Sequence, residues 1–216
     1  MFNDIVIGPI TIHMYGVMIA AGFLAALLMT LRRGKKRGYD EDLIWGIFFC
    51  AIIGGMLGTR ILYYIVEIPE ILKDPSILWD FKNGYVVYGG IIGGILVGWL
   101  YCRIKKLKFL EYFDLMMPSI ALAQGFGRIG CLLAGCCYGK ETTGSLAITF
   151  TDSAFAPNHV PLIPTQIYSG ILDFAHFFLL LYVAKHKKAD GQVAGCYLIC
   201  YSIGRFVIEM FGGDIE

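Results

Sequence analysis

The chain has 216 residues, of which 57% are hydrophobic, whereas soluble domains are usually roughly 45–50% apolar. The excess indicates a protein whose solvent is lipid. The net charge is only +1, which gives no overall field for nucleic acid, so no nucleic-acid partner is expected.

Six apolar segments are each long enough, at roughly 20 residues, to cross a bilayer. In chain order they are predicted at residues 13–31, 42–66, 84–102, 113–135, 166–184 and 192–210. Backbone groups in lipid must be satisfied internally, so these spans are expected to be helices. The first is not read as a cleaved signal peptide, because no basic region precedes it. The predicted fold is all-α, a polytopic membrane protein with about six transmembrane helices in a single domain over residues 1–216.

Basic residues set the predicted orientation. Twelve of the eighteen Lys and Arg residues follow the first, third and fifth spans, within residues 32–37, 103–108 and 185–188. These three connections are assigned to the cytoplasm, since Lys and Arg favour that side. Both termini and a short outer-face loop region are then expected on the opposite side.

Three cations, Arg60, Arg128 and Arg205, fall inside the predicted spans. The alternating helix directions bring all three to the depth of the outer leaflet. Polar residues from the ends of other spans share this depth, namely His13, Tyr15, Tyr85, Tyr88, Gln166, Tyr168 and Glu209. An arginine at membrane depth costs about 2.5–3.5 kcal/mol on insertion scales, so three at one depth call for an anionic partner.

A lipid phosphate fits this requirement. Asp173 and Glu209 can neutralise part of the charge, and guanidinium groups match phosphate oxygens in bidentate fashion. The arginines and polar residues at this one depth therefore predict a lipid-phosphate site that faces the outer leaflet. The plainer alternative is that each arginine snorkels to the interface and does nothing more.

The glycines indicate close helix packing. Gly54-x-x-x-Gly58 and Gly94-x-x-x-Gly98 are small-residue spacings that let helices approach each other. The glycine-rich run over residues 89–94, next to Tyr88, also permits close approach of backbone to a ligand.

The seven cysteines are scattered, and their odd number does not indicate a disulfide framework. Cys131, Cys136 and Cys137 cluster on the predicted outer side. Packing or a disulfide is the plainest interpretation, and a nucleophilic thiolate favoured by nearby Arg128 is the second. A metal site is less favoured because no histidine spacing accompanies the thiols, so no metal and no other cofactor is expected.

Five segments carry a family resemblance: GPITIHMYGVMIAAGF at 8–23, YGGIIGG at 88–94, GRIG at 127–130, PTQIY at 164–168 and GRFVIE at 204–209. In this order and spacing, the chain resembles the bacterial prolipoprotein diacylglyceryl transferases over most of its length. The resemblance implies a cytoplasmic-membrane enzyme that uses phosphatidylglycerol. It would move a diacylglyceryl group to the lipobox cysteine thiol of a secreted lipoprotein precursor, forming a thioether and releasing glycerol phosphate.

The resemblance also implies residue roles. Arg128 and Arg205 would hold the phosphate, with Arg60 in support and Glu209 orienting Arg205. Together with the two arginines, Tyr88 is the third candidate catalytic residue. The other candidate substrate-binding residues are Tyr15, Gly127, Gly130, Gly139, Gln166 and Tyr168.

The chain departs from the family pattern on the acceptor side. Tyr88 replaces the family's histidine, and a tyrosine with an ordinary pKa of about 10 is a poor base. Cys131 replaces an asparagine, and Cys136 falls where an acidic residue is expected. His13 and His159 are candidates to replace the missing histidine.

These changes leave two alternatives open. One is a divergent paralogue that transfers a lipid-derived group to another acceptor, with Cys136 or Cys137 as nucleophile. The other is a non-catalytic phospholipid-binding membrane protein.

Overall fold

The computed structural model describes residues 4–7, 10–79, 84–153 and 155–210. Its helices are α1 (Met14–Lys36), α2 (Glu41–Val66), α3 (Ile68–Ile71), α4 (Val87–Ile104), α5 (Phe109–Ala134), α6 (Thr165–His186) and α7 (Gln192–Glu209). A 3₁₀ helix covers Pro75–Trp79. Two short antiparallel strand pairs complete the fold, β1 (Asp4–Ile7) with β2 (Ile10–His13), and β3 (Ile148–Thr149) with β4 (Pro161–Leu162).

The six long helices coincide with the six predicted spans. Among the described residues, α1, α2, α4 and α6 are long and apolar enough to cross a membrane. Helices α5 and α7 occupy the fourth and sixth predicted spans. The predicted all-α membrane fold is confirmed, and the number of six spans is approximate. Helix α1 continues to Lys36, beyond the predicted end, because long basic side chains can reach the interface from inside a helix.

The contacts divide the chain into two compact units. Unit 1 comprises residues 1–33 and 113–216, and unit 2 comprises residues 34–112. The expectation of one domain over residues 1–216 stays a prediction.

In unit 2, helices α2 and α4 pack with their backbones in contact. A Cβ added at Gly58 would overlap the carbonyl of Gly89, and one at Gly54 would lie 2.6 Å from the carbonyl oxygen of Gly93. The predicted spacing on α2 is therefore a packing surface. The predicted role of Gly98 is wrong, since a Cβ there meets no atom within 4 Å. On α4, the glycines that face Gly54 and Gly58 of α2 are instead Gly89 and Gly93, which lie one turn apart.

In unit 1, α5, α6 and α7 share an apolar core that includes Met117, Ala121, Phe177, Leu180 and Val193. A buried carboxylate fixes the turn into α7: Asp114 accepts hydrogen bonds from the backbone N–H groups of Gly191 and Ala194, at 2.9 Å each. Lys187 Nζ lies 3.2 Å from the same side chain. An anionic side chain is stabilised at a helix N-terminus, so Asp114 anchors α7 to α5.

The loop between α5 and α6 in unit 1 has a small core of its own. Phe150, Ala156 and Leu162 are buried together there. Main-chain bonds from Gly139 N to Ile163 O (2.9 Å) and from Ile163 N to Lys140 O (3.0 Å) tie the beginning of the loop to its end. The loop therefore returns the chain to α6 directly beside the end of α5.

Candidate functional site

A cavity of about 240 Å³ lies among α5, α6 and α7 in unit 1. Its polar lining comprises Arg128 from α5, Ser169, Asp173 and His176 from α6, and Tyr201 and Arg205 from α7. Pockets for drug-sized ligands measure about 300–1,000 Å³, so this one suits a small charged group rather than a whole lipid. Two arginines that lie far apart in sequence thus line one cavity.

Arg128 has unused hydrogen-bonding capacity. Its side chain is 21% exposed, and its Nε lies 3.8 Å from Asp173 Oδ2, which is too long for a hydrogen bond. Among the described residues, no protein acceptor takes a hydrogen bond from its guanidinium group. A guanidinium carries five N–H donors in a fixed fork. This side chain is therefore able to bind an oxyanion with its full set of donors.

Arg205 is held by its own helix. Its Nη2 atom lies 2.6 Å from Glu209 Oε2, and both side chains are about half exposed, at 50% and 47%. The contact that the sequence predicts between these two residues is present. One carboxylate can use only part of the guanidinium fork, so further N–H donors remain for a ligand.

His176 is the residue that the sequence interpretation missed. Its ring is buried and stacks on Tyr197 at 5.1 Å between centroids, and its Nε2 has no hydrogen-bond partner among the described residues. A buried polar atom without a partner costs free energy, which a ligand in the cavity can relieve. The available signal was an ionisable residue one turn after Asp173 in an apolar helix, where such residues are functional by default.

The first residues of α6 hold the turn that follows α5. Gln166 is buried, and its Nε2 donates a hydrogen bond of 2.9 Å to the carbonyl of Cys136. The hydroxyl of Thr165 donates one of 2.7 Å to the carbonyl of Cys137. The predicted substrate-binding residue Gln166 therefore has a visible supporting contact, and its lipid-lining role stays a prediction.

Tyr15, Gly127 and Gly130 lie where α1 crosses α5. A Cβ added at Gly130 would lie 3.2 Å from Cδ2 of Tyr15, and one at Gly127 would lie 3.7 Å from Ile19. The Tyr15 ring thus packs against Gly130, two residues after Arg128. Their predicted contacts with substrate remain predictions.

Four other candidates from the sequence lie away from the cavity. Gly139 donates its N–H to Ile163, Tyr168 is half-buried, and His13 is the exposed last residue of β2. His159 is exposed in the loop between α5 and α6, with φ of 65°. None of these four lines the cavity, as far as the described residues show.

Arg60 and Tyr88 belong to unit 2. Arg60 Nε donates a hydrogen bond of 2.9 Å to Tyr64 Oη, and the guanidinium lies over the rings of Tyr64 and Tyr85 at 4.9 and 5.6 Å. Tyr88 lies in the first turn of α4 and is 74% exposed. Their proposed catalytic and supporting roles stay predictions.

The three cysteines at and after the end of α5 lie close together. The Sγ atoms of Cys131, Cys136 and Cys137 all lie within 4.8 Å of one another. Hydrogen bonds from the thiols of Cys131 and Cys136 lower the pKa of Cys137, which lies beyond the end of α5, and the charges of Arg128 and Arg205 act in the same direction. The cluster and the cavity therefore share an electrostatic environment.

Comparison with known proteins assigns the family. The sequence profile of the prolipoprotein diacylglyceryl transferases matches residues 4–216. The chain belongs to this family. A phosphatidylglycerol–prolipoprotein diacylglyceryl transferase of Clostridium tetani is 50% identical over 203 residues, which cover 94% of this chain and 82% of the relative. A second such protein, from Clostridium perfringens, is 49% identical, with 97% and 84% covered.

A more distant relative carries the same name. The phosphatidylglycerol–prolipoprotein diacylglyceryl transferase of Staphylococcus aureus strain Newman is 33% identical over 213 residues, covering 94% of this chain and 75% of the relative. The predicted family and the predicted enzyme class are confirmed. This member of the prolipoprotein diacylglyceryl transferase family is a multi-pass membrane protein.

Proposed function

We propose that this chain transfers the diacylglyceryl group of phosphatidylglycerol to the lipobox cysteine thiol of a lipoprotein precursor, and that the cavity of unit 1 holds the lipid phosphate. The observation that carries the phosphate site is the pair of arginines lining one cavity, of which Arg128 makes no hydrogen bond to the described protein. A partly buried guanidinium that has no hydrogen-bond acceptor is matched by a pair of phosphate oxygens.

The position of the cavity along its helices supports an outer-leaflet site. Arg128 lies six residues before the end of α5, and Arg205 lies four residues before the end of α7. At 1.5 Å per residue, these positions are about 9 and 6 Å from the helix ends. Both ends are opposite the basic connections assigned to the cytoplasm, so the two arginines share the depth of an outer head group.

The arginines favour the transition state over the bound lipid. The phosphodiester of phosphatidylglycerol carries one negative charge, and the departing glycerol phosphate acquires a second as the C–O bond breaks. Two guanidinium groups therefore interact more strongly with the leaving group than with the substrate. Stabilisation that increases in the transition state is what accelerates a reaction.

The product chemistry argues for direct transfer. If Cys136 or Cys137 attacked the lipid first, the enzyme would carry a thioether on its own side chain. A thiolate is a poor leaving group from an alkyl carbon, so a second thiol could not take the lipid from it. The acceptor thiolate is expected to attack the glycerol carbon in one step, with the electron pair of the C–O bond passing to the phosphate.

The other cavity and motif residues receive supporting roles. His176 is positioned to donate a hydrogen bond from Nε2 to the head group, and Glu209 orients Arg205. Tyr15 and Gln166 would shape the lipid side, with Gly127, Gly130, Gly139 and Tyr168 around them. On the family resemblance alone, Tyr88 contacts the acceptor and Arg60 supports phosphate binding.

The test is a transfer assay with purified protein. Phosphatidylglycerol with labelled acyl chains is mixed with a lipobox peptide, and the thioether product is measured by mass spectrometry. The Arg205→Gln variant should lose at least about 100-fold in rate, as expected when one donor to a developing oxyanion is removed. The matched control is Arg103→Gln, which removes a second membrane-proximal arginine that packs on Trp99. Its rate should equal that of wild type.

The outcomes separate the alternatives. If wild type binds phosphatidylglycerol but modifies neither the peptide nor any other thiol, the non-catalytic alternative replaces the transfer. If a lipid-derived group appears on a different acceptor, the chain is instead the divergent paralogue. If Arg205→Gln keeps the wild-type rate, the phosphate site is wrong although the transfer stands.

A further inference from the structure

The end of α5 is built to fold the chain back over its last turn. Gly135 adopts φ of +71°, its N–H bonds to Leu132 O at 3.3 Å, and Cys136 N bonds to Cys131 O at 3.1 Å. This pair of bonds around a left-handed glycine is a Schellman cap. The cap returns Cys136 to Cys131, which lies five residues earlier.

Cys137 completes the group through an unfavourable backbone conformation. Its φ is +58°, a region that costs a residue with a Cβ about 1–2 kcal/mol. Such strain persists only where the surroundings impose it, and it concentrates at functional sites. Here the surroundings are visible, because Gln166 and Thr165 bind the carbonyls of Cys136 and Cys137. Two side chains of α6 thus fix the turn that presents the thiols.

The resulting arrangement has the geometry of a metal site with one open position. The three Sγ atoms lie within 4.8 Å of one another. Zn–S bonds of about 2.3 Å in a tetrahedron place sulfur atoms about 3.8 Å apart, so small side-chain rotations suffice. Cys131 is buried, Cys136 is half-buried and Cys137 is exposed, so the cluster opens to one side. Catalytic zinc sites have three protein ligands and keep the fourth position for water or substrate.

We propose that Cys131, Cys136 and Cys137 bind one Zn²⁺ ion, and that the acceptor cysteine of the precursor binds this ion as its fourth ligand. The role for the acceptor rests on the proposed transferase function. The sequence alone did not predict a metal, because no histidine accompanies the thiols and their approach depends on the Schellman cap. Three thiolates select a soft or borderline cation, and zinc is one that does not oxidise them.

The ion would activate the acceptor thiol. A coordinated thiol is deprotonated outright, so the acceptor displaces the bound water and its proton leaves with water to solvent. The acceptor, deprotonated at this site, would then attack the glycerol carbon, and the C–O bond would break with its electron pair on the phosphate. The thioether product has no anionic sulfur and binds zinc weakly, so water can replace it.

The position of the cluster suits this reaction. Cys131 follows Arg128 by three residues on α5, a spacing that puts both side chains on one face about 5–6 Å apart at Cβ. With four thiolates, the zinc centre carries a net charge of −2, which the arginines of the cavity partly balance. The donor phosphate and the acceptor thiol would thus meet across one turn of helix.

The first experiment measures bound metal without reference to activity. Full-length protein is purified in detergent with a reductant, loaded with Zn²⁺, desalted and analysed for zinc and protein. Wild type should retain one zinc per chain, and Cys131→Ser, Cys136→Ser and Cys137→Ser should each lose it. Cys50→Ser, which removes a cysteine of α2 in unit 2, should retain it. A wild type that retains no zinc, or a zinc that survives in all three variants, overturns the site.

Cobalt substitution tests the fourth position. Co²⁺ bound to thiolates shows charge-transfer bands whose intensity increases with the number of sulfur ligands. Adding a lipobox peptide should increase this intensity in wild type, and the same peptide with Ser in place of Cys should not. If the two peptides give the same spectrum, the acceptor does not bind the metal and the proposed role is wrong. This readout holds even if wild type transfers no lipid.

The pH profile ties the metal to turnover. A free thiol with a pKa of about 8.5 is only about 3% ionised at pH 7, so removing zinc should lower kcat/KM up to about 30-fold. This loss should shrink towards pH 9, as the free peptide thiol ionises. The Arg128→Ala variant should lose transfer at both pH values while keeping its zinc. An equal rate for zinc-loaded and zinc-free enzyme at pH 7 would assign the ion a structural role and overturn the activation.

Discussion

Replacing Arg128 by Ala should have two effects that can be separated. The substitution removes the proposed phosphate ligand from the cavity. It also leaves the carboxylate of Asp173, which is 11% exposed, without the guanidinium 3.8 Å away. Breaking a buried ion pair costs about 3–5 kcal/mol. The separation of 3.8 Å and the residual exposure of Arg128 place the cost near the lower end, at about 3 kcal/mol. For a chain of this size, that corresponds to a Tm lowered by roughly 6–12 °C.

The second substitution, Asp173→Asn, distinguishes stability from catalysis. In the Arg128→Ala background it removes the stranded charge, so the double variant should recover most of the lost stability. Transfer should stay down by about 10²–10³-fold, because the donor to the developing oxyanion is still missing. Thermal unfolding in detergent and the lipobox transfer assay measure the two effects on the same samples.

Arg205→Ala is the matched variant for comparison. Arg205→Ala leaves Glu209, which is 47% exposed, so its stability should change by no more than about 1 kcal/mol while its activity falls. If the Arg128→Ala/Asp173→Asn double variant regains the wild-type rate, Arg128 serves only to neutralise Asp173. The phosphate role assigned to it would then be wrong.

Three further substitutions test other parts of the structure. Glu209→Gln should change the free energy of unfolding by less than about 1 kcal/mol, since the ion pair is half exposed. It should lower kcat, because Arg205 loses its orienting contact. An unchanged kcat in the transfer assay would contradict this. Gly58→Ala should destabilise the fold by about 1–3 kcal/mol, because the added methyl group overlaps the backbone of α4. Gly98→Ala should not destabilise it, because a Cβ there meets no atom within 4 Å. Equal melting temperatures for the two variants would contradict the helix contact. His176→Phe should keep the stacking on Tyr197 but lose the hydrogen bond from Nε2. One hydrogen bond of about 1.4 kcal/mol corresponds to a KM for phosphatidylglycerol that is about tenfold higher. An unchanged KM would show that His176 does not contact the head group.

Much of the fold follows from composition and charge. A span of about 20 apolar residues and a basic connection are strong local signals, so each long helix is found within a few residues of its predicted bounds. The convergence of Arg128 and Arg205 also follows, because depth in the membrane is counted from the helix ends and both residues lie near them. Topology thus predicts which residues share a layer of the bilayer.

Rotation about a helix axis is harder to predict than depth. Gly98 repeats the small-residue spacing of Gly94 but faces open space, whereas Gly89 meets Gly58. His176 has no motif around it, and only the packing of α6 against α7 brings it into the cavity. The thiol cluster depends on two left-handed residues, Gly135 and Cys137, and backbone conformation of this kind has a weak sequence signal at a cysteine.

Helix α6 links the cysteine turn to the cavity, which limits the sequence changes that it can accept. Its first residues, Thr165 and Gln166, bind the turn that presents the cysteines, and Asp173 and His176 line the cavity further along. Asp173 lies eight positions after Thr165, which is about 12 Å along the axis. In the proposed reaction, α6 thus fixes the distance between the acceptor thiol and the lipid phosphate. Its lipid-facing side can accept many substitutions, but one residue inserted within this interval would turn the two ends by about 100° and disconnect the two halves of the reaction.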